Sequence, residues 1–172
     1  VYKRQIGNII LGFGILFTGM GIMSGAMKPL ASSPAFTNIL IAIGDNWFIG
    51  IIAGAAITAI LQSSSATTGI LIALATTGTI DIGLALPVVF GCNIGTCITA
   101  MIASIGTNKT AHKAALLHLI FNIVGTIIFL PFLGVLARFV QYTSPDDVSR
   151  QIANAHTVFN LSLIHISEPT RP

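Results

Sequence analysis

The chain has 172 residues, 53% of them hydrophobic and only 8% charged, with a formal net charge of +3. Soluble domains carry roughly 25% charged residues, so this composition excludes a soluble fold that covers its surface with charge. The basic residues are scattered, which excludes a nucleic-acid-binding patch. What is left is a one-domain, all-α integral membrane protein that crosses a lipid bilayer several times. Cys92 and Cys97 lie in an apolar segment at a spacing that matches no metal motif, and they read as small, free, buried thiols.

The termini are set aside from fold reasoning. There is no initiating Met, and residues 1–5 and 162–172 resemble translated adapter sequence rather than native ends. The segment that carries the fold is residues 6–160.

Ile6 to Met27 is an uncharged run of 22 residues, long enough to span a hydrocarbon core of about 30 Å. Its glycines, among them Gly21-xxx-Gly25, are expected to serve close helix packing rather than substrate binding. Lys28 to Asp45 is broken early by Pro29 and Pro34 and reads as either a short interfacial helix or a connector that re-enters the membrane.

Asn46 to Ile80 is uncharged for 35 residues, too long for one ordinary span. At its centre is Gln62-Ser63-Ser64-Ser65-Ala66-Thr67-Thr68-Gly69, a polar cluster between apolar flanks. Split there, the run gives arms of about 15 residues, each about 22 Å as helix. Such arms predict a re-entrant hairpin or a broken helix with its tip inside the membrane, where protein or water must satisfy irregular backbone. On the first arm Gly50, Gly54, Thr58 and Gln62 share one face, so that another backbone can approach. Asp81 to Gly106 repeats the theme. Gly91, Asn93 and Gly95 are poor helix formers and predict a second unwinding point, with Asn93, Thr96 and Thr99 as its polar groups.

Gly106 to Lys113 reads as a polar loop. Ala114 to Gln141 reads as a long helix with a kink at Pro131. Ser144-Pro145-Asp146 suits the start of another helix over Gln151 to Leu161. The pattern A-x-x-H-x-I/V-F-N occurs at Ala115–Asn122 and again at Ala153–Asn160, 38 residues later. A duplicated element in a polytopic chain points to a duplicated transporter architecture. His118 and His156 are expected to be structural, held by helix contacts, rather than proton relays.

The chemistry concentrates at the serines. A break before a helix leaves backbone N–H groups unpaired, and hydroxyls at the N-cap add donors. With the positive end of the helix dipole they make an anion site, and phosphate fits because it offers several strong acceptor oxygens. No Lys or Arg lies between Lys28 and Lys109, so dipoles and a co-bound cation such as Na⁺ must offset the anion's charge. Gln62, Asn93, Thr96 and unwound carbonyls supply the oxygen ligands that a hard cation prefers.

QSSSATT at Gln62 to Thr68, followed by G-x-N-I-G-T at Gly91 to Thr96, resembles the type II sodium/phosphate cotransporter family. So do the duplicated H-x-x-F-N elements and GFGILFTGMGIM at Gly12 to Met23, which resemble its bacterial members. The resemblance covers nearly all of Ile6 to Asn160. It implies an inverted-repeat transporter of which this chain is one half, with phosphate and Na⁺ enclosed between two repeats that each carry QSSS. The implied substrate contacts are Gln62, Ser63, Ser64, Ser65 and Thr68. The implied sodium contacts are Gln62, Ser65, Asn93 and Thr96, with Na⁺ as the coupling ion and no organic cofactor. The chain carries one QSSS, so the second half-site is expected from a missing repeat or from a homodimer. The implied location is a cell membrane of the bacterial inner-membrane kind. The readings set against it are a channel or a non-transporting assembly protein, and an intramembrane serine hydrolase with Ser64 as nucleophile and His118 as base, for which no G-x-S-x-G elbow is present.

Overall fold

The computed structural model describes residues 2–31, 38, 43, 44 and 46–167. Among the described residues every regular element is helical: α1 (Tyr2–Ala31), α2 (Trp47–Leu61), α3 (Ser64–Thr76), α4 (Ile82–Ser104), α5 (Lys109–Phe129), a 3-10 turn (Leu130–Phe132), α6 (Leu133–Thr143) and α7 (Val148–Ser167). The expected segment Lys28 to Asp45 lies mostly outside the described residues.

Short polar side chains set the helix starts. Asn46, Ser63, Asp81 and Asn108 are N-caps whose side-chain oxygens accept from Phe48, Ala66, Leu84 and Ala111 N–H. The Asn108 cap starts α5 at Lys109, so the expected loop through Lys113 is shorter and both of its lysines are helical. Among the described residues two stretches are long and apolar enough to cross a membrane: Ile82–Ser104, with mean hydropathy 1.8, and Lys109–Thr143, with 2.4. The second is interrupted at the 3-10 turn that contains Pro131, where the sequence predicts a kink. α7 runs on into Ser167, beyond the expected boundary near Asn160.

α4 is the central element. Ala85, Val89, Phe90, Cys92 and Cys97 are fully buried, and α2, α3, α5, α6 and α7 all pack on it. Against α2 the packing is backbone on backbone. A Cβ on Gly54 would meet the Val88 carbonyl, and one on Gly91 would meet the Ile51 carbonyl, both well inside contact distance. At Gly50 it would lie 2.7 Å from Pro87 Cβ, and at Gly95 it would lie 2.7 Å from Thr58 Cβ. These glycines explain a difference from expectation. Gly91 to Thr96 does not unwind, and α4 is helical from Ile82 to Ser104. The helix-propensity cost of glycine, about 1 kcal/mol each, is offset because only glycine lets α2 approach so closely.

The same contacts fix direction. Ile51 meets Gly91, and Ala55 and Thr58 meet Gly95, so α2 and α4 run parallel. α3 must therefore run back antiparallel to both, and α2 and α3 form a hairpin whose tip is Gln62–Ser63. Thr58 is level with Gly95. Gln62 stands about 6 Å beyond it, whereas α4 continues for about 14 Å to Ser104. The tip thus stops short of the end of the long helix.

α5 and α7 both pack on α4, α7 through its duplicated segment. Phe90 stacks on Phe159 at 4.1 Å, and Phe129 meets Phe159 edge-on at 5.2 Å. Asn122 Nδ2 donates to His118 O at 2.9 Å, and Asn160 Nδ2 donates to His156 O at 2.8 Å. The repeat therefore uses the histidine carbonyls. The expectation that helix contacts hold both imidazoles fails at His156, whose buried Nε2 has no partner among the described residues. His118 is exposed. α1 packs on α3, but a Cβ at Gly7, Gly12, Gly14, Gly19, Gly21 or Gly25 would meet nothing within 4 Å. The close packing expected of these glycines is absent among the described residues, because α1 lies at the edge of the bundle.

Candidate functional site at the hairpin tip

The tip is built by two residues with different backbones. Gln62 closes α2 in the left-handed region, at φ 55°, and its N–H donates to Thr58 O at 2.6 Å. For a residue with a Cβ this conformation costs about 1–2 kcal/mol. Ser63 is extended, with φ −151°, and caps α3 by accepting from Ala66 N–H at 3.2 Å. Together they reverse the chain within two residues.

Capping leaves specific groups free. The Ser63 carbonyl takes Thr67 N–H and the Ser63 hydroxyl takes Ala66 N–H. The N–H groups of Ser64 and Ser65 have no acceptor among the described residues, and neither of their hydroxyls is engaged. Ser64 and Thr68 are one turn apart on one face of α3. Thr68 is 5% exposed, yet its Oγ1 has no hydrogen-bond partner among the described residues. A buried hydroxyl without a partner costs about 1–3 kcal/mol unless something else satisfies it. Gln62 and Ser65 are exposed, and Ser63 and Ser64 are half-buried. The start of α3 therefore presents two backbone donors, two free hydroxyls and an orphan threonine hydroxyl at the positive end of a helix dipole. This array can hold an anion with several acceptor oxygens.

The other polar groups expected at the site are arranged differently. Asn93 lies two residues from both Gly91 and Gly95, about 200° round α4 from the face that meets α2. Its Nδ2 donates to Asn160 Oδ1 at 2.9 Å, which ties α4 to α7 and leaves Asn93 Oδ1 as an acceptor. Thr96 is one residue past Gly95, short of the tip, and its Oγ1 donates to Cys92 O at 2.9 Å within α4. Thr99 is exposed. The structure thus brings Gln62, Ser63, Ser64, Ser65 and Thr68 together and holds Asn93 on another side of α4. No hydrogen bond joins Ser64 to His118 among the described residues; the His118 carbonyl instead accepts from Asn122 and, at 3.6 Å, from Cys97 Sγ. Cys92 and Cys97 are buried and free.

Sequence reasoning misses two features. Asn160, the partner of Asn93, is visible only as part of the repeat. The bond from Thr58 Oγ1 to Thr67 Oγ1, 2.9 Å and buried, crosses between the two arms. Thr58 is on the marked face of the first arm, but its partner appears only once the hairpin is closed.

The profile of the family described as Na+/Pi-cotransporter matches residues 19–166. An uncharacterized protein of Bacillus subtilis, YqeW, is 35% identical over 158 residues, covering 92% of this chain and 51% of the relative. The Salmonella typhimurium protein YjbB, provisionally named an inorganic phosphate export protein, is 26% identical over 91% of this chain and 29% of its own length. Human sodium-dependent phosphate transport protein 2B is 29% identical over 76% of this chain and 20% of the relative. The chain thus spans about half the length of the first of these relatives and less of the others. No solved structure matches it at a significant level.

Proposed function

The chain belongs to the Na+/Pi-cotransporter family, and from that premise we propose that it forms one phosphate-binding half of a sodium-coupled transporter of inorganic phosphate. The observation that carries this reading is the start of α3, where Ser64 and Ser65 offer free N–H and O–H donors beside the unpartnered Thr68 hydroxyl. Phosphate presents several acceptor oxygens to such donors. Gln62 adds an amide donor from the other arm, and Ser63 keeps the helix end open by capping it from within.

The hairpin is re-entrant in this reading, with its tip inside the bilayer while α4 and the α5–α6 stretch span it. Transport then needs a site that sheds the anion's charge into dipoles, since no Lys or Arg lies between Lys28 and Lys109 in the sequence. Na⁺ supplies the remaining positive charge, bound by Gln62 and Ser65 at the tip; Asn93, tied to Asn160 on another side of α4, and Thr96, turned back to Cys92 O, are not part of this cation site. Coupling follows because each ion raises the affinity for the other. The opposite half-site comes from a second QSSS-bearing repeat of the full-length protein or from a second copy of this chain in inverted orientation.

The test is uptake of radiolabelled phosphate into proteoliposomes holding the full-length protein. Wild type is expected to move phosphate along an imposed sodium gradient and to lose that uptake in Gln62→Ala and Ser64→Ala. Undiminished sodium-driven uptake by both variants overturns the reading, and phosphate flux indifferent to sodium indicates a channel.

A further inference from the structure

Four groups link the arms of the hairpin to its tip. Thr58, on α2, is 0% exposed, and its hydroxyl donates to Thr67 Oγ1 on α3 at 2.9 Å. Thr67, 1% exposed, donates in turn to Ser63 O at 3.1 Å, and its backbone N–H reaches the same carbonyl. The Thr58 carbonyl meanwhile accepts from Gln62 N–H. Thr58 therefore holds both residues of the chain reversal, Gln62 directly and Ser63 through Thr67. It cannot swing away, because Gly95 on α4 lies against its Cβ.

This relay does not touch the free donors of Ser64 and Ser65, yet it sets where they are. Ser63 O is the first acceptor of α3, so fixing it fixes the helix axis and the direction of the orphan N–H groups. It also ties the left-handed turn at Gln62 to a buried anchor, which an exposed, strained residue otherwise lacks. We propose that Thr58, acting through the Thr67 hydroxyl, is a positioning residue for the anion site at Gln62–Ser65, holding the start of α3 in its phosphate-facing orientation. The inference rests on the phosphate reading above. Preorganisation of this kind acts on affinity, since a misdirected helix end loses several weak donors at once.

The experiment measures sodium-driven phosphate uptake by the full-length protein in proteoliposomes, resolving KM and maximal rate. Thr58→Val keeps the shape and removes the hydroxyl. It is expected to raise KM for phosphate roughly tenfold, the size set by one buried hydrogen bond, while the protein still folds. Thr58→Ser, which keeps the donor, is expected to return KM to within about twofold of wild type, a rescue that a packing role for the methyl group does not produce. Should Thr58→Val not fold, Thr67→Val decides by the same KM criterion. Ser64→Ala separates the two levels. If Ser64→Ala loses uptake while Thr58→Val keeps the wild-type KM, the positioning role is overturned alone. If Ser64→Ala transports normally, the phosphate reading falls first. A raised KM in Thr58→Val that Thr58→Ser fails to restore also overturns the positioning role.

Discussion

Gln62–Ser65 and Gly91–Thr96 both interrupt apolar helices with residues that disfavour helix, and only the first breaks one. The difference lies in what surrounds them. Gly91 and Gly95 face the backbone of α2, so their missing side chains are filled by another helix and α4 continues. Gln62 is left-handed and Ser63 extended, so helical bonding stops at these two residues. Their polar groups cap the two arms instead, and the chain reverses. A run of small and polar residues in an apolar helix is thus a packing groove when a partner backbone enters it. It is a break when its own side chains replace the lost helical bonds.

Several substitutions break or sharpen this contrast. The largest effect is expected at the groove. Gly91→Leu drives a side chain into the Ile51 carbonyl and should destabilise by about 4 kcal/mol or more, seen as loss of the folded peak in detergent gel filtration. At the tip the effects should fall on transport. Ser64→Ala should reduce phosphate uptake at least about tenfold while shifting stability by less than about 0.5 kcal/mol, a split read from uptake beside a thermal melt. Asn160→Ala strands the Asn93 amide and should cost about 1–2 kcal/mol, read from a thermal melt. Gln62→Gly should stabilise by about 1 kcal/mol, because glycine relieves the left-handed backbone, while uptake falls with the lost amide. A melt that drops in Gln62→Gly would show that the turn is not strained as described. The smallest effect is expected for Thr96→Val, below about 0.5 kcal/mol, since its hydroxyl only returns to Cys92 O within the same helix.

Much of the hairpin is legible in the sequence. An uncharged run too long for one span, with QSSS at its middle, predicts arms close to the observed Trp47–Leu61 and Ser64–Thr76. The face of Gly50, Gly54 and Thr58 is equally plain, because a four-residue spacing means one side of a helix. What escapes is anything that depends on the partner. The local propensity of Gly91, Asn93 and Gly95 favours unwinding, and only the approach of α2 reverses that preference. The Asn122 and Asn160 bonds to histidine carbonyls are hidden for a related reason. An asparagine four residues after a histidine can reach either the imidazole or the carbonyl, and the spacing alone does not choose. The glycines of α1 show the converse, since a small-residue pattern implies close packing but does not name the surface that fills it.

The central claim is that the open start of α3 binds phosphate. Equilibrium binding of radiolabelled phosphate to the purified full-length protein, with and without sodium, tests it most directly when wild type is set beside Ser64→Ala at equal melting temperature. The account predicts sodium-enhanced binding in wild type and at least about a tenfold loss of affinity in Ser64→Ala. Equal affinity in the two proteins would contradict it.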